Sequence, residues 1–151
     1  MYAVAVALLG ALAAGGWAGT SFADMGMGNP VEFYFGNHTS HEQALGPTLY
    51  GSVIKDPPTT GPDYEYTAKG FLKVHGNTVA RLPSFSGHAD GTRRPLRFAL
   101  SRKTRHTIRA AAKRTGSHRV TLTITAVVTT DDDAQTSTAI RQDSFLRIPS
   151  D

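Results

Sequence analysis

The stretch Arg119–Thr129 constrains the fold more than any other part of the sequence. Val120, Leu122, Ile124, Ala126 and Val128 take alternate positions, and Thr121, Thr123, Thr125 and Thr129 fill most of the places between them. Only Val127 breaks the alternation. A period of two buries one face of a β-strand and wets the other, and β-branched residues suit the pleated backbone. A helix of this sequence would scatter its apolar groups around its whole circumference. The segment is expected to be a strand with one face in a core.

Shorter strand signals surround it. Val31–Phe35 alternates aromatic with polar residues, and Leu49–Ile54 is a second short candidate. Phe71–Val74 and Val79–Leu82 read as a hairpin about a Gly76-Asn77 turn. Leu96, Phe98 and Leu100 alternate with Arg97 and Ala99. Thr138–Ile148 reads as the last strand, and Phe145 breaks the parity of Ile140, Leu146 and Ile148, which predicts a bulge near Asp143. Lys55–Asp63 reads as a linker or long loop, Ser84–Gly91 as loop and Asp131–Gln135 as turn. One helix interrupts the pattern. Ser101 as N-cap and Gly116 as C′ residue bracket about 102–115, whose apolar stripe is only Thr104, Ile108, Ala111 and Ala112. Seven or so short strands with one inserted basic helix predict an all-β fold, an antiparallel β-sandwich.

The apolar content that must hold this together is unevenly spread. Of the first 23 residues 17 are apolar and none is charged, whereas the remaining 128 hold every charge. In those 128, Leu, Ile, Val and Phe number 26, about a fifth, near the border at which chains stop burying a compact core. A multispan membrane protein and a large enzyme with a deep site are excluded. With no cysteine, the domain relies on packing without disulfides. Residues 1–23 read as a signal peptide cut after Ala23, with Ser21 and Ala23 as the small residues before the cut. No Lys or Arg precedes the apolar run, and the alternative is an uncleaved anchor. The expected organisation is therefore a signal segment over 1–23, a loop-rich segment with short strands over 24–63, and a sandwich module over 64–151. The expected location is secreted or at the cell surface.

The segment Leu96–Ile148 resembles the carboxy-terminal half of immunoglobulin-like modules of exported and cell-surface bacterial proteins. The residues that carry the likeness are Leu100-Ser101-Arg102-Lys103, the basic helix with Ile108, and the strand from Arg119 to Ala126. The Asp-rich turn and the Thr-rich last strand complete it, and Phe71–Leu82 resembles the opening hairpin of the same modules. The turn has Asp131-Asp132-Asp133 in place of the usual Gly-Asn, and nothing before Tyr64 matches. The resemblance implies an Ig-like sandwich with a structural or accessory role and no inherited catalytic residues.

Charge placement is the strongest non-random feature. Ten cations and no acid fall between residues 91 and 130: Arg93, Arg94, Arg97, Arg102, Lys103, Arg105, Arg109, Lys113, Arg114 and Arg119. Arg102, Arg105, Arg109 and Lys113 recur at three- and four-residue spacing, so a helix gathers them into one stripe. Such a stripe, with Arg93, Arg94 and Arg97, suits an anionic polymer: wall polymer, acidic polysaccharide, phospholipid headgroups or extracellular DNA. The plainer reading is a solvated helix whose long side chains cover a thin core. No aromatic residue but Phe98 stands among these cations in the sequence, so sequence-specific nucleic-acid reading is not expected.

Other constellations are weaker. Asp131, Asp132 and Asp133 could ligate calcium, but an EF-hand loop starting there would need Gly and Glu where Thr136 and Gln142 stand. An acidic tip opposite a basic helix would also favour weak head-to-tail self-association. His38, His41 and Glu42 lack the zincin order and a third ligand, and Asn37-His38-Thr39 fits a glycosylation sequon. Ser86, His88 and Asp90 alternate, yet no nucleophile elbow accompanies them. No phosphate-cradling Gly loop or nucleotide fingerprint is present, and no cofactor or catalytic residue is expected.

Overall fold

The computed structural model describes residues 29–36, 42–56, 58, 61–130 and 137–150. The signal segment, His38, His41, the sequon and the Asp131–Asp133 turn with its calcium and self-association readings lie outside the described residues. Among the described residues no helix is long and apolar enough to cross a membrane.

Among the described residues nine strands and one helix follow one another: β1 (Val31–Phe35), β2 (Glu42–Ala44), β3 (Thr48–Lys55), β4 (Tyr64–Val74), β5 (Asn77–Arg81), β6 (Phe85–Ala89), β7 (Arg94–Ala99), α1 (Arg102–Thr115), β8 (Arg119–Thr130) and β9 (Ser137–Arg147). They form two sheets. One has the order β1-β3-β7, and the other β2-β9-β8-β4-β5 with β6 also on β4. Strands β1 and β3, which precede residue 64, thus share a sheet with β7, which follows it.

Strand β8 lies at the centre of the larger sheet, antiparallel to β4 and β9. Its alternation is realised: Val120, Leu122, Ile124, Ala126 and Val128 are all buried. Opposite them, Phe33, Phe35, Leu49 and Val53 of the smaller sheet are buried too. Aromatic rings join the layers edge to face, with Phe33 5.2 Å from Tyr66 and Phe85 4.9 Å from Phe98. Two glutamines stitch the sheets at their rims. The Phe33 N–H donates to Gln142 Oε1 at 2.8 Å. Where β1 has ended, the Gln43 amide takes the place of a neighbouring peptide, accepting from the Tyr50 N–H and donating to the Tyr50 carbonyl.

The three-stranded sheet is the smaller layer, and α1 adds cover by packing on β4, β5 and β8. Its ends are those expected. Ser101 Oγ accepts from the Thr104 N–H at 3.0 Å, and Gly116 adopts φ 66°, ψ 22°. The Gly116 N–H reaches the Lys113 carbonyl and the Ser117 N–H the Ala112 carbonyl, a Schellman closure. Ile108, Ala111 and Ala112 are its buried residues.

The structure corrects several expectations. The sandwich is not wholly antiparallel, because β2 runs parallel to β9. Ser84–Gly91 contains the strand β6, which pairs along Tyr64–Ala68 of β4. The hairpin turns on His75 and Gly76, both at positive φ (48° and 78°), with Val74 facing Asn77, which shifts the turn one residue toward the N-terminus. No bulge occurs near Asp143: β9 keeps one register against β8 from Ser137 to Arg147. The parity conflict is settled by pointing Phe145 outward, beneath the Arg119 guanidinium at 4.8 Å, and placing the small Ser144 in the buried row.

The expected linker after β3 is fastened. Buried Lys55 donates to Asp63 Oδ1 at 2.8 Å and to the Gly61 carbonyl at 3.1 Å, which closes the loop on its own base.

In mid-β3, Gly51 faces Phe35 across the sheet, and a Cβ there would meet the Tyr34 carbonyl oxygen at 2.6 Å and the Phe35 ring at 2.8 Å. Gly51→Ala must push β1 away from β3, and we expect a loss of about 1–3 kcal/mol. Urea unfolding reads it; an unchanged midpoint would contradict the strand contact.

Candidate anion-binding surface

The helix sorts its residues by angle. With Ile108, Ala111 and Ala112 held inward, the 100° advance per residue turns Arg102, Arg109 and Lys113 to the solvent side, and all three are exposed. Arg105 falls at the rim, half-buried. Arg102, Arg105, His106 and Arg109 line a hollow of about 270 Å³. His106 and Arg109 also border a second, wider hollow of about 560 Å³ that runs on past Lys113 to Ser117, His118 and Ile148. The two hollows share side chains and follow one side of the helix.

This surface, among the described residues, lacks counter-charges. Among the described residues, Arg102, Arg105, Arg109 and Lys113 make no ion pair. The Arg105 Nε is buried and has no hydrogen-bond partner. A buried donor in that state costs about 1–3 kcal/mol relative to a paired one. The first turn of α1 contains no acid, although the positive end of the helix dipole favours one there.

The remaining predicted site residues are not gathered into those hollows. Arg94 pairs with Asp90 at 2.5 Å. That hydrogen bond, with the Thr92 N–H beside it, holds the Asp90 carboxyl below the usual carboxylate range. Arg93 donates to Ser52 Oγ at 2.9 Å and lies 4.8 Å from the Tyr34 ring. Arg97 lies 5.6 Å from the ring of Tyr50, which is 57% exposed. Aromatic residues therefore accompany three of the ten cations, Arg93, Arg97 and, against Phe145, Arg119, supplied by β1, β3 and β9 rather than by neighbours in sequence. His106, Tyr34 and Tyr50 were absent from the expected site. His106 had a signal, since it stands four residues after Arg102 and three before Arg109.

Ser86 and His88 lie two residues apart on one face of β6 and, with Glu65 and Thr129, line an open cleft of about 470 Å³. Strand geometry sets such residues about 7 Å apart, too far for a nucleophile–base hydrogen bond. His88 Nε2 lies 3.7 Å from Asp63 Oδ2, while Asp90 is engaged by Arg94. Among the described residues no group of three or more His, Asp or Glu side chains is placed to hold a metal ion.

No family model matches the chain, and no curated protein does. Among solved structures, the chain is similar to the solution structure of AT1g01470 from Arabidopsis thaliana, at 8% identity over 79% of each chain with a TM-score of 0.46. Nothing about function follows from a likeness at that level.

Tyr34 reports on the Tyr–Arg face. Its hydroxyl donates to Glu32, and this bond, followed by burial and the Glu32 charge, pushes its pKa up from 10.0 to about 12, against the opposing pull of Arg93. A raised phenol pKa stabilises the fold fully below pH 10 and fades as the pH climbs toward 12. Glu32→Gln should bring the Tyr34 transition down toward the ordinary phenol range in an ultraviolet titration. An unshifted curve would contradict the assignment.

Proposed function

We propose that this chain is an exported, non-catalytic β-sandwich of the immunoglobulin-like kind, with an accessory role at the cell surface, and that it holds an anionic polymer along α1. The observation that carries the binding role is the row Arg102, Arg105, Arg109 and Lys113 bordering continuous hollows without a single ion pair among the described residues. Cations that served only solubility or core cover would be better placed beside acids at i±4, which α1 lacks entirely. Export is supported by the charge-free run from Tyr2 to Gly19 and the small residues before Asp24. The absence of a catalytic role is supported by the family resemblance and by the spacing of Ser86 and His88.

Binding of this kind is driven by release of counterions, so it must weaken steeply as salt rises. Titration of the protein with dextran sulfate across a series of ionic strengths tests it. We expect a steep negative slope, and a loss of affinity on the order of a hundredfold when Arg102, Arg105, Arg109 and Lys113 are all changed to Gln. Equal affinity in wild type and variant would sink the binding role and leave a purely structural one.

A further inference from the structure

Charge alone does not explain which cations α1 uses. We propose that Arg102, Arg105, His106 and Arg109 form a seat for one tetrahedral oxyanion, a sulfate or phosphate ester group, so that the module prefers sulfated or phosphorylated polymers to carboxylated ones. This rests on the anionic-polymer reading and narrows it.

The four residues stand at i, i+3, i+4 and i+7, on one side of the helix around the 270 Å³ hollow. Three of the four are arginines. Each guanidinium offers five donors in a planar fork, whereas an ammonium offers a point charge. A carboxylate has two oxygens and fills one fork. A sulfate or phosphate ester has three outer oxygens in three directions and engages several forks at once. The donors here come from successive turns of α1 around one hollow, which suits a group with oxygens in several directions.

Two further observations concern the same residues. Arg105 Nε, buried and without a partner, is a donor whose need no described side chain meets. Arg102 and Arg105 also sit in the helix's N-terminal half, with Lys103 between them, where the dipole adds to their mutual repulsion and no acid offsets either. A bound oxyanion would relieve that repulsion. Lys113, farther along the helix, belongs to the wider hollow and adds charge without fork geometry.

The test separates shape from charge. Dextran sulfate, dextran carrying phosphate monoesters and polygalacturonate are compared at equal charge concentration and fixed salt, on wild type and on the variant Arg102→Lys/Arg105→Lys/Arg109→Lys, which keeps every charge. We expect wild type to bind dextran sulfate or phosphorylated dextran about tenfold more tightly than polygalacturonate, and the lysine variant to bind all three within about twofold. Whichever of the first two binds better identifies the ester. A preference that survives in the lysine variant, or equal binding of all three polymers by wild type, overturns the seat and leaves the anionic-polymer role standing. Wild type that binds none of the three overturns both. Circular dichroism of the variant confirms that α1 is intact before affinities are compared.

Discussion

Cover for the inner face of β8 and β4 is the constraint on which the rest depends. Val120, Leu122, Ile124, Leu72 and Val74 present a continuous apolar surface. The β1-β3-β7 sheet is only three strands wide against the larger sheet. An amphipathic helix between β7 and β8 adds cover, and Ile108, Ala111 and Ala112 are all it contributes by way of buried residues. Burial of Ile108 supplies about 2–3 kcal/mol, and each alanine less. The like-charged pairs on the opposite side oppose this by about 1 kcal/mol in total. Docking wins, but on a narrow ridge.

That balance links packing to function. Because the buried stripe is narrow, most of the circumference of α1 is free to carry cations, and because two of its three residues are alanines the helix can lie close to the sheet. The cations are then fixed in place by the core rather than by ion pairs. The Ser101 cap and the Schellman closure at Gly116 hold the ends without calling on acidic side chains. The helix can therefore dispense with acids altogether.

Much of this was legible in the sequence because it is local. The alternation of β8 and the capping residues of α1 each act within a dozen residues, and the structure follows them closely. What was not legible depends on pairing across the sheets. Ser86-Gly87-His88 has no strand propensity of its own and becomes β6 only because β4 offers an edge. Phe145 breaks the parity of β9, and only the neighbouring Arg119 and the small Ser144 explain why it can face outward. The ten cations read as one block, yet Arg94 is taken up by Asp90, while Arg93 and Arg97 lie against tyrosines from β1 and β3. Those partners lie far away in sequence, so no local pattern could separate the block into a free set and an engaged one.

α1 is held by a thin apolar ridge against its own charge, and the proposed binding of an anion along its outer side would relieve that conflict. Amide hydrogen exchange over residues 102–115 tests this most directly, in low salt with and without dextran sulfate. We expect α1 to exchange well ahead of β8 in low salt and to become markedly more protected when the polymer is added, with β8 unchanged. An α1 as protected as β8 from the outset, and indifferent to the polymer, would contradict it.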